Sequence, residues 1–460
     1  MTRLRTALLL AGGAGTKFWP YNVVRNKTAF PIANVPAIRR LADTLVALGI
    51  RQLVVVVGPG EGSVRAALRG CAGEIRYVRQ NQPEGTAAAV VLGSQDLGQD
   101  VLVVSGDAVT ARENLEALLT RFDQDSKPAV ALVQALGNES PRDWITAYPA
   151  GDDLLGVMGH ARSGSHRLCG IYALTQEAID TIQDNPGVMS RVPVGGMPPV
   201  EAEIAQSLQI MIDEGTPVAA VQATGYHVDL DKPWHILEAN HHVIRAMSAD
   251  ISENVIPASA QIHDGAEIRG RLVLGENTVI GNRVVIGGDL WLGDGARIEN
   301  GAILEGATVV GADTRIRHYC QIGGETSIGP RNVHGHGAEF SGVALDTVYC
   351  YHYCEIWGVV GQAVDLGAAT VCGNLRFDDA ETTWRIKGRP ETPLHAANAA
   401  YLGDFSRTGV NAILMPGRRV GVYSCLGPGV VAYSDVPDRQ AVLVKQELEQ
   451  RPWGPEKYGW

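Results

Sequence analysis

The chain has 460 residues, enough for two domains, and its 45% hydrophobic and 19% charged residues describe a globular protein. A formal charge of −11 argues against a nucleic-acid-binding face, which needs a basic stripe, but leaves room for a local pocket of lysines and Mg²⁺ around a phosphorylated small molecule. No apolar run approaches the roughly 18 residues of a membrane span, and seven cysteines without a C-x-x-C pair suit a reducing compartment, so a cytoplasmic setting is expected.

From the N-terminus, the apolar run after Arg3 and Arg5 flows straight into glycines, as a buried first strand does and a secretion signal does not. Thr6–Leu10, Gln52–Val57, Val101–Val104, Ala129–Val133 and Val218–Gln222 read as strands, several of them continuous apolar runs suited to a sheet covered on both faces. Amphipathic patterns at Pro36–Leu48 and Thr86–Leu97 read as helices between them, and Trp234–Met247 as a helix leading out. This alternation predicts an α/β sandwich with a mainly parallel sheet over residues 1–245.

The period then changes. Ile256, Ile262, Ile268, Leu274, Ile280, Ile286, Leu292, Ile298, Leu304, Val310, Ile316, Ile322 and Ile328 stand six apart. A helix repeats near 3.6 and a flat strand at 2, whereas hexapeptides form the sides of a β-helix with the aliphatic residue pointing inward. The phase breaks near Val333–Ala344 and resumes through Val360, Leu366, Leu402, Leu414, Val420 and Leu426, with Phe377–Ala400 looping out. Residues 246–436 are expected to be this coil and 437–460 a tail packed on it or on a neighbouring subunit.

Several residues carry chemistry. Gly12, Gly13 and Gly15 end the first strand in L-L-L-A-G-G-A-G-T-K, where backbone N–H groups can approach phosphate oxygens. The spacing fits neither a P-loop nor a dinucleotide fingerprint. Lys17 follows the loop and Lys27 comes ten residues on, two cations suited to a triphosphate. Gln80 precedes P-E-G-T-A-A-A, a turn opening a helix, and its amide can read a donor and an acceptor on a base. Asp107 in V-V-S-G-D and Asp229 in V-D-L-D-K-P-W follow buried strands, where open α/β sheets bind ligands, and two such carboxylates suit Mg²⁺.

L-A-G-G-A-G-T-K, N-K-T-A-F-P-I, E-G-T-A-A-A, S-G-D and V-D-L-D-K-P-W, in that order across the first half, resemble the sugar-1-phosphate nucleotidyltransferase family. With the hexapeptide tail and the segments G-N-L-R-F-D-D and T-G-V-N-A-I-L-M-P-G, the chain resembles the bifunctional N-acetylglucosamine-1-phosphate uridyltransferase/glucosamine-1-phosphate acetyltransferases, particularly archaeal-type relatives. The resemblance implies a Rossmann-like (GT-A-like) α/β nucleotidyltransferase domain followed by a left-handed parallel β-helix that forms a homotrimer. It implies that Gly12, Gly13, Gly15 and Thr16 hold a nucleoside triphosphate and that Lys17 and Lys27 contact phosphate. Gln80, Gly85 and Thr86 would read the base, a pyrimidine being favoured, and Asp107 and Asp229 would ligate Mg²⁺. The acceptor would be a sugar phosphate or a cyclitol phosphate, with pyrophosphate released.

The sequence departs from that pattern in three places. Lys17 stands where an Arg is usual, which loses a bidentate fork. The acid–Lys–Pro element that addresses the sugar phosphate has no match between Gly151 and Gly170, where Arg162 or Arg167 is the available cation. In the tail, acetyl-CoA-dependent acetyl transfer would use His352 as base with Asn374, but an ungapped match puts Tyr351 at the base position. Cys350, His352 and Cys354 alternate and could share one strand face as metal ligands, the competing reading being that the cysteines fill the coil. A non-catalytic scaffold with the same fold is the reading from another class.

Overall fold

A computed structural model describes residues 2–192 and 200–457. The head is built on a nine-stranded sheet with spatial order Glu74–Arg79, Gln52–Val57, Thr6–Ala11, Val101–Ser105, His166–Leu174, Ala129–Ala135, Val218–Gln222, Asp153–Gly159 and Ile145–Ala150. The first four strands are mutually parallel. His166–Leu174 runs antiparallel to both its main neighbours, and Asp153–Gly159 is antiparallel to the strands on either side of it.

All five strands expected from apolar runs are present. Leu8, Leu9, Val54 to Val57 and Val101 to Val104 are buried, as helices on both faces require. The antiparallel strands between Ile145 and Leu174 were not expected; they carry Gly, Asp and His among their apolar residues and give a weak two-residue period.

A short antiparallel ribbon stands apart from this sheet. Ala108–Thr110 pairs with His227–Asp229, with Asp229 opposite Ala108, and the Leu230 N–H donates to the Asp107 carbonyl at 3.1 Å. Trp234–Asp250 then forms one helix that packs across the junction between head and tail.

The tail is a parallel β-helix. Ile262, Ile280, Ile298 and Ile316 stack in one ladder, Ile268, Ile286, Leu304 and Ile322 in a second, and Leu274, Leu292, Val310 and Ile328 in a third. Each rung is displaced by 18 residues, three hexapeptides. Ile256 is 46% exposed, because the first rung has no coil beneath it.

The phase changes within the expected stretch, towards its end. His334 takes the interior position above Ile316, and Phe340 the one above Ile322. The change comes after Phe340, where the step shortens to 16 residues: Glu339–Ala344 and Glu355–Val360 are continuous six-residue strands with Gly342 and Gly358 paired at the bend. Gly358 has φ of 150° and an added Cβ would lie 1.9 Å from the Ala400 carbonyl oxygen, so no side chain fits there. The register then jumps by 42 residues, from Leu366 to Thr408.

The chain between these rungs leaves the coil, as expected, and forms a hairpin, Trp384–Ile386 with Arg389–Glu391. Regular rungs return and end at Ala441–Val442.

One apolar cluster unites head and tail. Phe18, Tyr21, Phe30 and Trp234 pack with Val343, Val359, Trp384 and Tyr401. The Tyr21 hydroxyl donates to the Val359 carbonyl at 2.7 Å, and Arg25 grips the fully buried Asp404 through both Nη atoms, at 2.9 and 2.5 Å.

Candidate active site

The first strand ends at Ala11 and the glycine loop passes in front of it. The Gln80 side chain, 8% exposed, lies against this loop, since a Cβ on Gly12 would sit 3.0 Å from its Oε1. Gly13 faces open space, Thr16 is exposed, and Gly15 is left-handed with the Lys27 side chain 3.4 Å from an added Cβ. The structure therefore brings Gly12, Gly15, Lys27 and Gln80 together, although Gln80 lies two strands away in the sheet.

Asn26 prepares Lys27. Its side chain donates to the Ala11 and Gly13 carbonyls at 3.0 and 3.3 Å and accepts from the Thr28 N–H, which ties the lysine-bearing turn to the loop. The Lys27 ammonium then pairs with the Asp107 carboxylate.

The ribbon places Asp229 beside Asp107. Asp229 receives Arg167 Nη1 at 2.5 Å on one oxygen and has His227 Nε2 at 3.4 Å from the other. Arg167 is 2% exposed, with Glu139 at 3.5 Å and its guanidinium 3.9 Å over the Trp144 ring. It is spent on holding Asp229, whereas Arg162 lies on the exposed surface.

Two residues on, Asp231 meets Lys17 at 3.2 Å and Lys232 at 3.8 Å. Lys17, Lys27, Arg167 and Lys232 are thus gathered around Asp107, Asp229 and Asp231. Burial alone would raise the Asp229 carboxyl, but His227 and Arg167 hold it well below its usual range; Asp231 is held down in the same way by Lys17, Lys27 and Lys232. Burial pulls the Lys27 ammonium down, and Asp107, Asp231 and Asp229 more than offset it, so it stays charged.

These residues suit a magnesium–triphosphate. Mg²⁺ favours oxygen donors and takes one or two carboxylates, with phosphates and waters completing its shell. Asp107, in the turn before Ala108–Thr110, and Asp229, at the end of the strand paired with it, are such donors, with side chains 11% and 16% exposed. Among the described residues, no group of three or more His, Cys, Asp or Glu is arranged to hold an ion unaided.

The turn at Gly85 is shaped by a different neighbour. Gly85 has φ of 106°, and an added Cβ would lie 2.3 Å from the Ala202 carbonyl oxygen. The Thr86 hydroxyl donates to Glu203 at 2.6 Å and accepts from the Ile204 N–H at 2.9 Å. Thr86 therefore clasps the 202–204 segment to the helix it opens.

In the tail, Cys350 and Cys354 point into the coil, each 1% exposed, and His352 points out between them. A turn centred on Tyr353 with φ of 61° separates the two faces, so the three do not share a side. His352 and Tyr351 line a cavity of about 140 Å³ with Arg317, His318 and His336. Asn374 is exposed at the start of the excursion and is not among the lining residues.

Sequence reasoning missed Asp231, Lys232 and His227, although all three lie within the Y-H-V-D-L-D-K-P-W segment around Asp229. It also missed Glu391, which pairs with the buried Lys232 at 2.8 Å and comes from the tail hairpin. Nothing in the local sequence of Glu391 signals that contact.

Residues 6–144 match the nucleotidyl transferase family model. A bifunctional sugar-1-phosphate nucleotidylyltransferase/acetyltransferase of Sulfurisphaera tokodaii is 26% identical over 437 residues, covering 94% of this chain and 98% of that protein. A bifunctional protein GlmU of Methanococcus vannielii is 27% identical over 452 residues, covering 96% and 98%. A solved UDP-glucose pyrophosphorylase complexed with UDP-glucose aligns with 53% of this chain and 99% of its own, at 16% identity and a TM-score of 0.46. The segment 6–144 belongs to a nucleotidyl transferase domain, in a chain similar along nearly its whole length to bifunctional sugar-1-phosphate nucleotidylyltransferase/acetyltransferases.

Proposed function

We propose that the head transfers a nucleotidyl group from a nucleoside triphosphate, with a pyrimidine favoured, to a sugar 1-phosphate or sugar-like cyclitol phosphate. An acceptor phosphate oxygen attacks the α-phosphorus in line, and the bond to the β-phosphate oxygen breaks to release pyrophosphate. The observation that carries this reading is the convergence of Gly15, Lys27, Asp107, Asp229 and Asp231, which come from three separate stretches of chain.

The chain's own residues have distinct parts. The loop at Gly12, Gly13, Gly15 and Thr16 receives the triphosphate, and Gln80 presents its amide to the base. Lys27 and Lys17 neutralise charge on the departing phosphates. Arg167 and His227 fix the Asp229 carboxylate, and Lys27 fixes that of Asp107, so little reorganisation is needed at the moment of reaction. Asp107 and Asp229 would hold Mg²⁺, which would supply positive charge to offset that of the triphosphate.

The test is pyrophosphate release across nucleotides and sugar phosphates, with Mg²⁺ and with chelator. Release that needs both substrates and the metal is expected. No release from any pair would leave the scaffold reading.

A second reading concerns the tail. The cavity beside His352 and Tyr351 supports acetyl transfer from acetyl-CoA to an amino-sugar phosphate. Free thiol from acetyl-CoA that disappears in His352→Ala would establish it. A homotrimer through the coil and a cytoplasmic setting belong to the same proposal, and sedimentation of the full chain tests the former.

A further inference from the structure

The hairpin that leaves the coil docks on the head. Its register pairs Trp384 with Glu391 and Ile386 with Arg389, so these four share one face, while Arg385 and Pro390 share the other and are exposed. The first face is anchored by both residues of the rung farther from the turn. Trp384 meets Trp234 edge-on at 5.0 Å, and Glu391 pairs with Lys232 at 2.8 Å, with both charged groups buried.

Arg389, in the rung nearer the turn, reaches the head's surface. Its Nη2 donates to the Arg142 carbonyl at 3.0 Å and to Asp143 at 3.2 Å, and lies 3.7 Å from Glu391. The Arg389 side chain is still 47% exposed.

Two contact chains tie this spot to the aspartates. One runs from Asp229 through Arg167 to Trp144, next in sequence to Asp143. The other runs from Asp231 through Lys232 to Glu391. His160, whose Nδ1 contacts the same Arg142 carbonyl at 2.8 Å, is lowered by burial and then by both Arg389 and Lys17. A tail cation and a head cation therefore act on one imidazole.

Topology gives this spot its role. Gln80 follows Glu74–Arg79 at one edge of the nine-stranded sheet, whereas Trp144 precedes Ile145–Ala150, whose Thr146 and Ala147 pair with Arg167 and His166 of the strand beside Val101–Ser105, on the side away from Gln80. Asp107 follows a strand between the two. On the nucleotidylyl-transfer reading, a nucleotide lying from Gln80 to Asp107 leaves the Trp144 side of Asp107 for the second substrate.

We propose that Arg389, delivered by the β-helix hairpin, binds the phosphate of the acceptor, so that the head's acceptor site is completed by the tail. The proposal rests on the nucleotidylyl-transfer reading above, and the experiment separates the two. Full-length Arg389→Ala, Arg389→Lys, Arg389→Gln and Arg385→Ala are compared. Loss of one charge-assisted contact predicts a KM for the sugar phosphate about tenfold higher or more in Ala and Gln, with the KM for the nucleotide within about twofold. Lys, which keeps the charge, recovers most of the loss, and Arg385→Ala behaves as the parent.

Gln keeps a donor for the Arg142 carbonyl, so a parent-like KM in Gln means that Arg389 only docks the hairpin, and the proposal falls. An unchanged KM in Ala has the same consequence and leaves the transferase reading standing. If the parent releases no pyrophosphate from any pair, that reading falls instead, and calorimetry with glucose 1-phosphate decides the role of Arg389. Binding present in the parent and Lys but lost in Gln supports it. Equal binding in all of them, or none in the parent, overturns it.

Discussion

Replacing His334 by leucine is expected to make the β-helix more stable, and the more so in acid. His334 occupies an interior position between Ile316 and Cys350, is fully buried, and touches Phe340 with ring centroids 5.0 Å apart. Neither ring nitrogen has a hydrogen-bond partner. A buried polar group left unpaired costs about 1–3 kcal/mol, and leucine removes both while keeping a comparable volume. Imperfect fit subtracts up to about 1.5 kcal/mol, leaving a net gain of about 2 kcal/mol at pH 7. Burial also pushes the imidazole down to about 4.

The unfolded chain takes up a proton near its ordinary value of about 6.5, which the folded chain refuses until about pH 4. Stability is therefore lost as pH falls through this window, and at pH 4.5 this amounts to about 2.5 kcal/mol. Leucine has nothing to titrate, so its advantage over the parent should grow by about that amount between pH 7 and pH 4.5. Urea unfolding followed by circular dichroism at the two pH values reads both quantities. A variant less stable than the parent at pH 7, or an advantage that stays constant with pH, refutes the reasoning.

Asp107→Asn should abolish pyrophosphate release without altering thermal unfolding by more than a few degrees, since the carboxylate faces Lys27 and not the apolar core; turnover within a few-fold of the parent contradicts the metal role. Lys27→Met is expected to lower kcat by about a hundredfold or more, as loss of one preorganised donor does elsewhere, and a change confined to KM would limit Lys27 to binding. Arg25→Met leaves Asp404 charged and fully buried opposite an apolar residue, at a cost of about 3–5 kcal/mol; limited proteolysis should then release head from coil, and an unchanged digestion pattern would show that the apolar cluster suffices.

Legibility follows the range of the interaction. A buried strand must be apolar along its length, so Gln52–Val57 and Val101–Val104 announce themselves. An inward-facing coil position must recur every hexapeptide, so the ladders from Ile262 to Ile328 are visible without coordinates. A loop that turns tightly against Gln80 and Lys27 must lack side chains, which marks Gly12 and Gly15. These are requirements of local geometry, met by residues near one another in the chain.

The tertiary structure alone decided how charges are shared. Asp229 reaches Asp107 through a three-residue ribbon, Arg167 is committed to Asp229 and not open to a sugar phosphate, and Thr86 is held by Glu203. His334 keeps its place inside the coil although its residue type hides the repeat, and a turn at Tyr353 sends Cys354 in while His352 faces out. Glu391 meets Lys232 across a domain junction. An ion pair needs only complementary charge at the right distance, and it leaves no period or spacing in the chain; where each carboxylate finds its cation is settled only when the strands, ribbon and hairpin have packed.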